Sequence, residues 1–79
     1  MECAMEFDRE VDACGLTCPL PILRCKKALA DMTSGQVLKV LATDRSAVAD
    51  FQAFARQTGN VLLEQSEQAS VLVFYLRRR

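Results

Sequence analysis

Hydrophobic and polar positions alternate between two periods along this chain, and the switches between them divide it into six elements. Phe7 to Ala13 carries apolar residues at 7, 11 and 13, is interrupted by Arg9 and runs into Gly15, which reads as an edge strand ending in a turn. From Cys18 onward the apolar positions Ile22, Cys25, Leu29 and Met32 recur with a helical period. Leu23 and Ala28 widen that stripe, while Arg24, Lys26, Lys27 and Asp31 fall outside it. Thr33-Ser34-Gly35 breaks the helix, and the nearly continuous apolar run Val37 to Ala42 predicts a strand buried in the middle of a sheet.

Asp44 or Ser46 caps a second helix that buries Val48, Phe51, and Phe54 or Ala55, and Gly59 ends it. Val61-Leu62-Leu63 opens a third strand, Ser66-Glu67-Gln68-Ala69 reads as the hairpin connection, and Val71 to Leu76 is rich in β-branched and aromatic residues, as a fourth strand requires. The order is βαβαββ. Right-handed crossovers then place both helices on one face of a mixed four-stranded sheet, giving an α/β two-layer sandwich of the α+β type.

The 79 residues are read as one domain, with residues 1–5 as a mobile tail and Met5 as an alternative start. The hydrophobic content, 51%, suffices for a core without metal or disulfide staples. Ten basic residues balance ten acidic ones, which argues against a protein that grips nucleic acid unaided. Up to Met32 there are six acids and four bases. From Thr33 there are four acids and six bases, three of them the terminal run Arg77-Arg78-Arg79, which is read as a solvated strand end. Neither a secretory signal nor a membrane-length segment is recognisable, so the expected location is the cytoplasm, where the four cysteines stay reduced.

Chemistry concentrates at Cys18-Pro19-Leu20-Pro21, which puts a thiol at the entrance of the first helix. Unpaired N–H groups and the positive end of a helix dipole lower a cysteine's pKa and favour the nucleophilic thiolate. Pro19 pushes Cys18 toward extended geometry, and a proline in a first helical turn removes only a donor that had no partner. Because Pro21 disfavours α geometry at Leu20, the helix starts either at Pro19 or at Pro21. With no histidine in the chain, activation of the thiol is left to the helix end and nearby cations.

The stretch Asp12-Ala13-Cys14-Gly15-Leu16-Thr17-Cys18-Pro19-Leu20-Pro21-Ile22-Leu23, followed by Lys26-Lys27-Ala28-Leu29, Thr43-Asp44 and Gly59-Asn60, resembles the TusA family of small sulfur-carrier proteins, also called SirA-like. The resemblance spans almost the whole chain beyond Met5. It implies the same βαβαββ sandwich, and a sulfurtransferase that carries sulfane sulfur as a persulfide on Cys18. The sulfur would come from a cysteine desulfurase or rhodanese-type donor and pass to an acceptor protein. Family members serve tRNA thiolation, molybdenum-cofactor sulfuration, and oxidation or uptake of inorganic sulfur, and the motif does not distinguish among these. Two positions depart from the family pattern: Cys14, commonly a polar or small residue, and Asn60, often histidine.

The remaining candidates have plainer readings. Cys14 as a resolving thiol needs the Gly15 turn, since extended geometry would hold the Cα atoms of Cys14 and Cys18 about 13 Å apart, against the disulfide range of about 4.4–6.8 Å. A small residue tolerated at a strand end is preferred. Cys25 packs as a small hydrophobe, and Cys3 has no assigned role. The spacing of Cys14, Cys18 and Cys25 matches no strong zinc pattern, so neither metal nor cofactor is expected. Arg24, Lys26 and Lys27 offer either a docking surface for an acidic partner or an ordinary solvated face. Asp12 and Asp44 are read as caps of backbone N–H groups rather than a catalytic pair, and Phe51 and Phe54 as core. The expected species is a monomer working with a donor and an acceptor protein, with no direct nucleic-acid or membrane binding. Two other functions compete: an RNA-binding or regulatory module leaning on the basic residues, and a thiol–disulfide switch of Cys14 and Cys18.

Overall fold

The computed structural model describes residues 6–79, so the expectations for the tail and for Cys3 lie outside the described residues. The elements follow in the order β1 (Arg9–Ala13), α1 (Leu20–Ala30), β2 (Val37–Ala42), α2 (Ala47–Thr58), β3 (Val61–Gln68) and β4 (Val71–Arg77). The sheet order is β1-β2-β4-β3, with β1 parallel to β2 and the other neighbours antiparallel. β1 is an edge strand and β2 is central, as the patterns predicted.

Alternation sorts the sheet into two faces. Leu38, Val40 and Ala42 of β2 align with Leu72, Phe74 and Leu76 of β4, and all six are buried beneath both helices. Cys25, Ala28 and Leu29 of α1 and Phe51 and Phe54 of α2 complete this core. Phe51 stacks on Phe74 with centroids 4.6 Å apart and meets the edge of Phe54. The nearly unbroken apolar run of β2 does not signal burial on both faces. Val37, Lys39 and Leu41 alternate out onto the uncovered face and are only half-buried. There Phe7 and Lys39 cover Tyr75.

Four local expectations change. Leu23 is half exposed, because α1 buries a narrow stripe through Cys25, Ala28 and Leu29 and turns Leu23 outward. Of the two candidate caps of the second helix, the Ser46 side chain makes no cap bond, and it is Asp44 whose carboxylate accepts an N–H at the helix start, that of Ser46. The β3–β4 turn falls at Ala69-Ser70, both with positive φ, so Ser66 to Gln68 belong to the strand. Positive φ at both central residues is the twist that a two-residue hairpin needs, and it is met here without Gly or Asn. The terminal arginines are also more than a solvated end. Arg78 is half-buried and its Nε donates at 2.7 Å to the Leu29 carbonyl, which also accepts the Met32 N–H at 3.1 Å, so the arginine ties the chain terminus to the end of α1. Asn60 accepts the Arg79 N–H at 2.8 Å and donates to Thr58 Oγ1 at 2.9 Å. Gly59 ends α2 with φ +83°, and a Cβ there would lie 2.7 Å from Arg79 Cδ.

Candidate functional site

Parallel pairing of β1 and β2 brings their C-terminal ends to the same edge of the sheet, so the loop entering α1 runs beside the loop entering α2. The second loop holds the first at two points. Thr43 Oγ1 accepts the Gly15 N–H at 2.8 Å, and Asp44 Oδ2 accepts the Cys18 N–H at 2.8 Å. Asp44 Oδ1 accepts the Ser46 N–H at 3.0 Å, so one carboxylate joins both loops. The N–H bonds from Ser46 and then from Cys18 hold the Asp44 carboxyl below its ordinary range. Gly15, at φ +82°, makes the turn that allows this approach. Asp12 accepts the Cys14 N–H at 3.0 Å, so both acids bind backbone N–H groups, as their loop positions suggested.

α1 begins at Leu20, with Pro19 in the cap position and Pro21 in the first turn, between the two starts that the prolines allowed. Cys18 precedes the cap and its thiol is exposed. It opens on a groove of about 280 Å³ between the two helices, lined by Cys18, Pro19, Ile22 and Lys26 on one side and by Asp50, Ala53, Phe54, Gln57 and Thr58 on the other. The adjoining recess shares Lys26, Phe54 and Thr58 and ends at Asn60, Arg78 and Arg79.

The electrostatics reverse one expectation. The Cys18 thiol is raised above its ordinary pKa rather than lowered. Hydrogen bonding to the Asp50 carboxylate is the first cause, followed by slight desolvation and the negative charges of Asp50 and Asp44, partly offset by Ser46. The helix-end effect is overridden because the charged groups nearest the sulfur are carboxylates, not the cations anticipated from the helix-one sequence. Cys14 is raised as well, by desolvation and then by Asp12. Cys25 is fully buried, and burial pushes its thiol up to about 12.

The three basic residues of α1 do not form one patch around the sulfur. Lys26 borders the thiol groove, whereas Arg24 and Lys27 lie with the exposed Leu20 and Leu23 around another recess. The two cysteine side chains of the β1–α1 loop also part company. Cys14 interacts with Asp12, whose neighbours Val11 and Ala13 point into the core and leave Asp12 on the uncovered face, while Cys18 meets Asp50 of the helical layer. Among the described residues, no group of three or more His, Cys, Asp or Glu is arranged to hold a metal ion. No described helix is long and apolar enough to cross a membrane.

Sequence reasoning missed Asp50. The signal lay in the topology: two helices that start at the same sheet edge set the first turn of the second beside the entrance of the first, so an acid in that turn becomes a neighbour of Cys18.

Known proteins share this architecture and much of this sequence. A SirA-like protein from Desulfitobacterium hafniense superposes with a TM-score of 0.80 at 30% identity, covering 89% of this chain and 96% of that one. The sulfur carrier protein TusA of Allochromatium vinosum is 56% identical over 73 residues, which are 92% of this chain and 96% of the relative. Its counterpart in Pseudomonas entomophila is 38% identical over 72 residues, covering 91% and 90%. Residues 9–78, from the first strand through the arginine that closes α1, match the family described as sulfurtransferase TusA, and the chain belongs to that family.

Proposed function

We propose that this protein is a sulfur carrier whose Cys18 takes up sulfane sulfur as a persulfide and hands it to an acceptor protein. The observation that supports Cys18 is its setting: of the three described cysteines it is the exposed one that opens on the interhelical groove, while Cys14 is exposed but does not line that groove and Cys25 is buried. The Cys18 thiolate attacks the terminal sulfur of a donor persulfide. A sulfur–sulfur bond forms to Cys18, the donor's own sulfur–sulfur bond breaks, and its electron pair leaves with the donor thiolate. Delivery repeats the step with the carrier as donor. No external oxidant or reductant is consumed, which suits a chain acting between two proteins, the first a cysteine desulfurase or rhodanese-type enzyme of the cytoplasm.

The thiol–disulfide alternative is disfavoured by the different partners of the two thiols, Asp12 for Cys14 and Asp50 for Cys18, and the RNA-binding alternative by the balance of ten basic against ten acidic residues. Intact-mass measurement after incubation with a sulfur donor separates all three. A gain of one sulfur atom that reductant removes, lost in Cys18→Ser and kept in Cys14→Ser, is the expected result. Loss of two hydrogens would instead mark the switch, and no change would favour the binding module.

A further inference from the structure

The half-buried carboxylate of Asp50 stands in the same groove as the Cys18 thiol, and among the described residues neither ion pair involves it: Arg9 pairs with Asp31 and Arg45 with Glu67. Its backbone N–H binds the Ser46 carbonyl at 3.1 Å, which fixes its place in the first turn of α2. The charged and titratable groups around the sulfur are then few. Asp44 approaches from the β2–α2 loop, Asp50 from α2, and Lys26 from α1 along the groove wall, with the Ser46 hydroxyl also near.

We infer that Asp50 is a positioning residue that holds down the thiolate fraction of Cys18 in the unpartnered protein, and that a Lys or Arg of the sulfur donor, set against Asp50 on docking, raises it. This rests on Cys18 being the carrier thiol. A carboxylate beside a thiol stabilises S–H by accepting from it and destabilises S⁻ by charge. The direction of the Cys18 shift agrees. A carrier that crosses the cell before meeting its donor gains from this, because a masked thiol resists oxidation and adventitious alkylation. A cation brought to this unpaired carboxylate neutralises it, and screening between the two charges falls once the docked donor excludes water from the groove. The partner is thereby specified in part: it presents a basic side chain to the α2 wall of the groove.

Site-resolved alkylation by a small neutral reagent, followed by mass spectrometry across pH, reads the thiol without any sulfur transfer. A failure of the carrier assignment is therefore distinguishable from a failure of the gate. Three substitutions form a graded series. Asp50→Glu should leave the Cys18 midpoint nearly unchanged, Asp50→Asn should lower it, and Asp50→Lys, which places the proposed partner's charge on the carrier, should lower it further. Each unit of decrease raises the thiolate fraction tenfold at pH 7 and, because a less basic sulfur is a weaker nucleophile, the rate about threefold.

Loading from inorganic polysulfide should rise in the same order. In that reaction Cys18 S⁻ takes the terminal sulfur, and the electron pair of the broken bond leaves on the shortened polysulfide. In the unsubstituted protein, the folded midpoint should lie above that of the urea-unfolded chain, a comparison that needs no variant. Equal midpoints in the Asp50→Asn variant and the original, or a folded midpoint at or below the unfolded one, would overturn the gate.

Discussion

Cys18 and Cys25 are the same chemical group at the two ends of a short stretch of chain, and the fold gives them opposite properties. Cys18 stands before the first turn of α1, held by its own N–H to Asp44, with its sulfur in the open groove. Cys25 lies two turns on, on the buried stripe with Ala28 and Leu29, and no solvent reaches it. Both thiols are raised in pKa, but for different reasons. Burial alone acts on Cys25, and no approaching molecule can undo it without unfolding the chain. Carboxylates act first on Cys18, and a partner can neutralise a carboxylate. A raised pKa therefore marks an inert thiol in one case and a controllable one in the other.

The largest expected effect exploits that difference through pH. The Cys25 thiol titrates near 12 in the folded protein and near 9.0 when exposed. Below about pH 9 both states hold the proton, so the contribution of the buried thiol to stability is fully present. Between about pH 9 and 12 the unfolded chain binds fewer protons than the native one, and stability falls as pH rises. The loss approaches about 1.4 kcal/mol per pH unit and totals at most about 4 kcal/mol. Urea unfolding at stepped alkaline pH should show this fall, with Cys25→Ala flattening it. A Cys18→Ser variant should flatten it far less, because solvent screens an exposed thiol; equal flattening by both would erase the distinction.

Next in size is a direct exchange of roles. Cys25→Ser puts a hydroxyl where no polar partner is waiting, at a cost of about 1–3 kcal/mol in chemical unfolding. Persulfide loading of the folded protein should nevertheless be retained. Cys18→Ser should do the reverse, abolishing loading with little change in stability. A Cys25 variant that folded well and failed to load would break the comparison.

Much of this contrast was legible in the sequence. Periodicity put Cys25 on the apolar stripe of α1, and the Cys-Pro pair put Cys18 at its entrance, because both signals are local. The element order followed for the same reason. What stayed illegible came from contacts distant in sequence or from turns without their usual residues. Asp50 reaches Cys18 only through the alignment of two helices at one sheet edge, so the sign of the thiol's shift could not be read from the loop alone. Arg78 looked like tail because its acceptor, the Leu29 carbonyl, belongs to a helix end far away in sequence. The hairpin was placed too early because Ala69-Ser70 carries neither Gly nor Asn, while Ser66 to Gln68 have the polar composition of a turn and the conformation of a strand.

The smallest expected effect divides the lysines, which the sequence had grouped. Lys26 borders the groove into which Cys18 opens, while Lys27 sits with Leu20, Leu23 and Arg24 around another recess. The groove thus carries opposite charges across its width, a cation on the α1 wall and the Asp50 carboxylate on the other side. A donor docking there as proposed would meet Lys26 with an acidic group and Asp50 with a basic one. Exposed charges at an interface rim act mainly on the association rate and weaken with salt. Lys26→Glu should therefore slow donor-dependent transfer at low ionic strength by at most about fivefold, a surface-pair energy of about 1 kcal/mol. Lys27→Glu should slow it less. Stopped-flow transfer rates at two salt concentrations check this: the difference between the variants should shrink at high salt, and Cys18 alkylation by a neutral reagent should change little in either. Equal slowing by the two reversals would place the donor across the Leu20–Leu23 surface instead, with the groove reserved for the sulfur itself.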